Sequence, residues 1–180
     1  MRRLGDKDLS TLPLRILFHI NEFRNGGTET SLMSWLRTLD RRYFILCLVV
    51  TYPTQELEAW KTLAIPADVP VHVLAASARM HALHQAYRAG AFGVGAKLLY
   101  NLLTYGVIRP LIARRLRRLA EAHDLACDYD LSLRHIAGNT TVPWFAVSHI
   151  SLKARHAGKN AAWVARRLRH SIGATRPSPR

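Results

Sequence analysis

The chain has 180 residues, 49% of them apolar, and carries a formal net charge of +14 at pH 7. This length suits one domain with a sizeable core and leaves too little chain for two full domains. The two cysteines, Cys47 and Cys127, lie in or beside apolar stretches without metal-ligand spacing, which argues against a disulfide framework or a zinc site and favours a cytoplasmic location. No apolar run reaches the ~18 residues of a membrane-spanning helix, and the N-terminus lacks the apolar segment of a secretory signal.

The first third of the chain predicts a strand, a helix and a second strand. Residues 15–21 form an apolar run with the density of a strand buried on both faces, and residues 28–39 carry apolar side chains at helical spacing. A polar turn leads from there to a stronger apolar run, residues 43–52. Strand, helix and strand in this order predict a βαβ unit, whose two strands are parallel.

The same alternation continues to the end of the chain. Further on, the pattern predicts a short helix at residues 55–63 and a strand at residues 69–74, which Pro70 places at a strand start or sheet edge. A long helical region follows at residues 82–123, interrupted by glycines and Pro110, and two more strands are predicted at residues 129–136 and 142–150. The predicted fold is therefore α/β, a Rossmann-like, doubly wound, mostly parallel sheet. We expect this domain to span residues 14–152, after a flexible N-terminus of residues 1–13 and before a basic helix and disordered tail of residues 153–180.

Two adjacent glycines, Gly26 and Gly27, fall between the first strand and the first helix. In a doubly wound fold this turn lies at the edge of the sheet where ligands bind. Glycines there can adopt positive φ and let the backbone approach a ligand, and the start of the helix favours a phosphate or another anion. Glu29, in the first turn of the helix, would cap N–H groups or accept a sugar hydroxyl. A tight turn with a simple cap explains the same residues, so both interpretations stay open.

These residues also resemble a known family. The order of an apolar strand, Gly26-Gly27-Thr28-Glu29, an amphipathic helix, Leu39 to Phe44 and a hydrophobic strand is similar to the amino-terminal domain of family-4-like glycosyltransferases, which are two-domain GT-B enzymes. Later segments resemble the end of that domain, namely residues 129–132, 138–141 and 144–149. The resemblance spans about residues 14 to 150.

The resemblance implies a cleft between two Rossmann-like domains, in which this domain holds a saccharide or lipid-linked acceptor and the other holds a nucleotide-sugar donor. Gly26 and Gly27 would line the cleft near the donor, and Glu29 and Asn139 would contribute to substrate binding. His149 matches a histidine of the cleft that contacts donor sugar or acceptor, although a lone histidine is also compatible with a structural role.

The implied activity is sugar transfer with retention of anomeric configuration, in glycan or cell-envelope polysaccharide synthesis, without a metal or other cofactor. The chain ends where the donor-binding domain would begin, so the resemblance implies either a truncated product or a separate chain that supplies that domain. Whether this chain alone is an enzyme is left open.

A basic segment suggests a second class of function. Residues 97–119 combine apolar and aromatic side chains with four clustered arginines, Arg114, Arg115, Arg117 and Arg118. Such a helix can lie in an anionic membrane interface, here the inner face of the membrane; a core helix with solvated arginines fits the pattern too. The alternative function is a non-catalytic basic module that is peripheral to a membrane or binds another anionic partner. Nucleic acid is not expected, because the usual binding motifs are absent from the sequence.

A metal site is not expected from the sequence. His81 and His84 lie three residues apart on a predicted helix, where they lack a third ligand.

Overall fold

The fold is built on one sheet of five parallel strands. A computed structural model describes residues 13–75, 78–130 and 142–147. The sheet order is β3-β2-β1-β4-β5, and all four neighbouring pairs are parallel. The strands are β1 (Leu14–Glu22), β2 (Phe44–Tyr52), β3 (Val71–Val73), β4 (Leu125–Asp128) and β5 (Trp144–Ala146). The predicted α/β fold with a Rossmann-like parallel sheet is confirmed.

Helices connect the strands, as the alternating pattern predicts. They are α1 (Gly27–Thr38), α2 (Gln55–Leu63), α3 (Ala78–Arg88), α4 (Val94–Leu103), a π-helical segment (Thr104–Ile108) and α5 (Arg109–Glu121). The prediction for residues 55–63 is confirmed at both ends, and the long helical region is interrupted between α3 and α4, where glycines were expected to break it. The second interruption, expected at Pro110, is wrong: the chain stays helical from α4 through the π-helical segment into α5, because proline is tolerated in the first turn of a helix. No described helix combines the length and apolarity needed to cross a bilayer.

The fourth strand begins earlier than the sequence predicts. Residues 125–128 form β4 and pair with residues 16–19 of β1, whereas the prediction began at Tyr129 and ended in a segment outside the described residues. Leu125 to Asp128 is too short an apolar run to reveal its period, and pairing with β1 is what makes it a strand. The third strand is shorter than predicted, and it lies at a sheet edge, as Pro70 indicated.

Alternate residues of β1 pack against helices on opposite faces of the sheet. Ile16, Phe18 and Ile20 belong to a buried cluster with apolar residues of α1 and α2. Leu17 belongs to a second buried cluster that includes Ile112, Leu116 and Ala120 of α5. Because helices cover both faces, the strands are buried on both sides, which is the doubly wound arrangement.

The strand order reverses direction beside β1. From β1 the chain proceeds to β2 and β3 on one side, then crosses to β4 and β5 on the other. Helices on the two sides of such a reversal diverge and leave a crevice beyond the carboxyl ends of the strands. The carboxyl ends of β1 and β4 are therefore where a ligand site is expected.

The predicted N-terminal segment and the predicted C-terminal basic helix and tail are not part of this description. Residues 1–12 and 148–180 lie outside the described residues, as do residues 131–141. The predicted boundary at residue 152 falls in the same undescribed part of the chain.

Candidate functional site

The two glycines after β1 have different surroundings. Gly26 is the N-cap of α1 with φ −146° and ψ 176°, an extended backbone that any residue adopts. Neither glycine has positive φ, so the expectation that this turn uses left-handed backbone is wrong. A Cβ atom at Gly26 would lie 2.9 Å from Oε2 of Glu29, whereas a Cβ at Gly27 would have no atom within 4 Å. Gly26 thus makes room for a buried carboxylate, and Gly27 leaves open space at the start of the helix.

Glu29 holds the turn together. Its side chain is only 6% exposed, and its Oε1 accepts a hydrogen bond of 3.0 Å from the backbone N–H of Arg24. This resembles a capping box, in which a glutamate at the third helical position reaches back to a backbone N–H that precedes the helix. Glu29 therefore ties down the loop that precedes the helix, two residues before the N-cap Gly26, and α1 has no side-chain cap. The same carboxylate also borders a cavity.

This first cavity, which we call the turn cavity, has a volume of about 280 Å³. Its lining contains three carboxylates and one arginine, together with Ile20, Asn21 and Thr28; the charged residues are Glu22, Arg24, Glu29 and Asp130. Nη2 of Arg24 donates to Oε2 of Glu22 over 2.5 Å, and this hydrogen bond and charge raise the pKa of Arg24. Carboxylates that outnumber cations disfavour a phosphate and provide acceptors for hydroxyl groups.

A second cavity, which we call the aromatic cavity, lies beside the carboxyl ends of β1 and β2. Its volume is about 160 Å³, and its walls include four tyrosines, Tyr52, Tyr87, Tyr100 and Tyr105. The ring of His84 stacks on the ring of Tyr52, with 5.4 Å between the ring centroids. Nδ1 of His84 is hydrogen-bonded to the hydroxyl of Tyr100 at 2.7 Å. Tyr87 stacks on Tyr100 at 4.4 Å. Stacked rings fixed by hydrogen bonds form a rigid wall with an apolar face and polar edges.

The π-helical segment contributes polar groups to the aromatic cavity. Thr104 and Tyr105 both belong to this segment and line the cavity, and short π-helical turns inside α-helices are frequent at functional sites. The guanidinium of Arg109 lies 4.9 Å from the ring centre of Tyr105. Oγ1 of Thr104 is buried without a hydrogen-bond partner among the described residues. Burial raises the pKa of Tyr52, so its phenol stays protonated at neutral pH.

Asn21 connects the two cavities. It lies near the carboxyl end of β1 and lines both the turn cavity and the aromatic cavity. Its backbone N–H donates to Oδ2 of Asp130 over 2.8 Å, which ties the end of β1 to the residues that follow β4. A ligand in either cavity therefore meets the same asparagine.

A buried polar network lies under this edge of the sheet, and sequence reasoning missed it. Nε2 of His19 lies 2.9 Å from Oγ1 of Thr51, and Nδ1 lies 4.0 Å from Oδ1 of Asp128. His19, Thr51 and Asp128 are each at most 1% exposed. The available signal was the polar residue His19 within an apolar strand, since buried polar groups require partners.

Two residues of this network, His19 and Asp128, have the spacing of metal ligands together with Asp130. One ligand atom each from His19, Asp128 and Asp130 lies within 4.8 Å of the other two. Yet His19 is hydrogen-bonded to Thr51 and Asp130 to Asn21, so a hydrogen-bond network that joins β1, β2 and β4 accounts for the arrangement.

The four arginines proposed for membrane contact lie on a core helix. Ile112, Leu116 and Ala120 bury one side of α5, so the core-helix interpretation of residues 97–119 holds for α5. It does not hold for α4, whose leucines are exposed. All four arginines are exposed, and Nη1 of Arg115 also donates to the backbone oxygen of Leu74 over 2.9 Å. Asn139 and His149, the other two predicted site residues, lie outside the described residues.

Comparisons with family models, curated proteins and solved structures find no match to this chain. The class of protein is therefore defined by its own fold and cavities. It is a Rossmann-like α/β protein with two adjoining cavities at the carboxyl edge of a parallel sheet.

Proposed function

We propose that the chain is the acceptor-side half of a GT-B glycosyltransferase, which takes part in moving a sugar from a nucleotide-sugar donor to a saccharide or lipid-linked acceptor. The observation that supports this most strongly is a pair of cavities at the carboxyl edge of the sheet, both lined by Asn21. The turn cavity lies at the switch point between β1 and β4, and the aromatic cavity lies beside β1 and β2. One cavity has aromatic walls and the other is rich in carboxylates. Both surfaces suit sugars, which present apolar C–H faces and many hydroxyl groups.

The aromatic cavity is the proposed acceptor subsite. A sugar ring placed against the stacked pair of Tyr87 and Tyr100 would bury its C–H face on aromatic surface. The hydroxyls at the ring edge would meet polar groups of the lining, which include Asn101, Thr104 and Arg109. The unpartnered hydroxyl of Thr104 supports this assignment, because a buried polar atom gains from a ligand that bonds to it.

The turn cavity is the proposed contact with the reacting donor sugar. Glu22 and Asp130 offer acceptors for sugar hydroxyls, and the open space at Gly27 lets a ligand approach the start of α1. The acidic lining does not suit the diphosphate of the donor, so the groups that stabilise the leaving diphosphate are assigned to a donor-binding half. In this proposal Asn139 and His149 keep their implied roles in substrate binding, and the reaction needs no metal.

Ligand binding to the full chain tests this proposal directly. Saturation-transfer NMR with a panel of nucleotide sugars, monosaccharides and disaccharides should detect at least one bound saccharide. Asn21→Ala should weaken that binding by about tenfold, since it removes polar contacts shared by both cavities. Asn25→Ala is the matched control, because Asn25 follows the same strand and lines neither cavity.

Two results would overturn the proposal. The first is a panel in which no saccharide and no nucleotide sugar binds. The second is a bound ligand whose affinity falls equally with Asn21→Ala and Asn25→Ala.

A turnover assay then separates binding from catalysis. We expect no sugar transfer by the chain alone, and transfer only when a protein that supplies the donor-binding half is added. Transfer by the chain alone would contradict the assignment of the diphosphate contacts to a second half.

A further inference from the structure

Helix α4 exposes most of its large apolar side chains. The exposed fractions are 88% for Val94, 72% for Leu98, 57% for Leu99, 69% for Leu102 and 46% for Leu103. The same exposure continues along the following helical turns at Tyr105, Val107 and Leu111, which are 60%, 52% and 57% exposed. We call these eight residues the α4 surface. Contiguous exposed apolar surface of this kind marks an interaction site.

The leucines lie away from the one side of α4 that is buried, which packs against α3 through Tyr100. Val94, Leu98 and Leu102 recur every four residues and share one side of the helix. Tyr100, which is 8% exposed, lies on the opposite side, where it contacts His84 and Tyr87. A helix of a water-soluble domain normally shows the reverse arrangement, with its leucines against the core.

The chain segment that carries the α4 surface has only positive charge. Between Asp68 and Glu121 the sequence contains no Asp or Glu. On α5, Leu111 shares the outward side with Arg114 and Arg118, opposite the buried residues of that helix. Lys97 of α4 is exposed as well. In this segment, apolar side chains are thus accompanied by cations and by no carboxylate.

We propose that the α4 surface docks the protein on an anionic phospholipid bilayer. The helix lies in the plane of the membrane interface, Leu98 and Leu102 enter the boundary between headgroups and acyl chains, and the arginines of α5 contact lipid phosphates. The apolar contacts come from α4 and the π-helical segment, which overlap residues 97–119, the segment for which the sequence left a membrane interface open. The structure adds which side chains of that segment are exposed. The proposal does not rest on the proposed sugar transfer, although Tyr105 belongs both to the α4 surface and to the wall of the aromatic cavity.

Other occupants fit the same surface less well. Nucleic acid would use the positive charge but gives no reason for a row of exposed leucines. A second copy of the chain would cover the leucines, yet a two-fold interface places the same basic surface on both partners and brings like charges together.

Vesicle flotation of the full chain tests the proposal in the absence of any sugar. The wild type should bind vesicles that contain phosphatidylglycerol, bind pure phosphatidylcholine vesicles much less, and dissociate as salt is raised. Leu98→Ser should lower the vesicle partition coefficient about fivefold, and the double variant with Leu102→Ser by tenfold or more. The matched control is Leu63→Ser, whose side chain is 80% exposed on α2, and it should leave binding unchanged.

Three results would overturn the proposal. The wild type does not bind anionic vesicles, or the serine variants bind as well as the wild type, or Leu63→Ser weakens binding as much as Leu98→Ser. Circular dichroism is the control that checks whether each variant is folded. Sedimentation and an RNA-binding assay complete the test in case the wild type does not bind vesicles. If the serine variants then lose self-association, the surface is assigned to a second copy of the chain. If they lose RNA binding, the surface is assigned to nucleic acid.

Discussion

Gly26→Ala tests why the turn after β1 contains two glycines. The added Cβ would lie 2.9 Å from Oε2 of Glu29, so the carboxylate must move. We expect this shift to break the hydrogen bond that Oε1 of Glu29 accepts from the N–H of Arg24. Hydrogen bonds to charged groups contribute about 1.5–3 kcal/mol. Alanine adopts the observed φ of −146° and recovers about 0.4–1 kcal/mol through the unfolded state. The net expected loss in unfolding free energy is about 1–2 kcal/mol.

Gly27→Ala is the matched control for this prediction. Nothing lies within 4 Å of the Cβ that it adds, and alanine is the better helix former by about 1 kcal/mol in a helix interior. Urea unfolding followed by tryptophan fluorescence should therefore show a lower midpoint for Gly26→Ala and an unchanged or higher midpoint for Gly27→Ala. Equal midpoints for the two variants would refute the steric argument.

A double-mutant cycle with Glu29→Ala isolates the responsible contact. Without the carboxylate, the Cβ at position 26 has no close neighbour, so Gly26→Ala should cost almost nothing in that background. The coupling free energy should be about 1–2 kcal/mol, within the range found for residues in contact. If Gly26→Ala costs as much without Glu29 as with it, another feature of the turn requires glycine.

Three further predictions concern stability. Thr51→Val removes the hydrogen bond to buried His19 and should lower the unfolding free energy by about 1–3 kcal/mol, whereas Thr51→Ser keeps the hydroxyl; equal losses in urea would contradict this. Arg115→Ala removes a hydrogen bond to Leu74, the residue after β3, and should lower the unfolding free energy by about 1 kcal/mol. Arg114→Ala removes no such bond and should lower it by less than about 0.5 kcal/mol; a larger loss for Arg114→Ala than for Arg115→Ala in the same assay would contradict this reasoning. Burial raises the pKa of Cys47 from 9.0 to about 11. The stabilisation of the folded state by the protonated Cys47 thiol is therefore complete below pH 9. It is lost as pH rises from 9 to 11, because the thiol ionises in the unfolded state and not yet in the folded state. This loss of unfolding free energy is about 3 kcal/mol. Cys47→Ala should flatten this alkaline decline, and an unchanged slope in urea unfolding at each pH would count against it.

The sequence predicted the parts of the fold that local patterns determine. The βαβ opening and the helix at residues 55–63 follow from hydrophobic periods within single segments. Strand β4 was placed too late, because four residues are too few to show a period and pairing with β1 decides their structure. For α4 the sequence left both a membrane-facing and a core-facing apolar side open, since periodicity gives an apolar side without saying whether it meets the core.

The candidate site was predicted only in its position. The carboxyl edge and the turn at Gly26 and Gly27 follow from the order of the elements. The aromatic cavity depends on residues as far apart in sequence as Asn21 and Tyr100, which no local pattern connects. Glu29 was expected to cap N–H groups from its place in the first helical turn, but its hydrogen bond to Arg24 and its contact with Gly26 required coordinates.

The most direct test of the central claim is to map a bound saccharide by NMR chemical shifts on the full chain. Once saturation transfer has identified a saccharide that binds, the account predicts shifts at the carboxyl edge of the sheet, including the amide of Asn21 and the ring of Tyr100. It predicts no shift at the opposite edge, where Leu14 and Phe44 begin their strands. Shifts confined to that opposite edge, or no shift at Asn21 and Tyr100 at saturation, would contradict the assignment of these cavities to sugar binding.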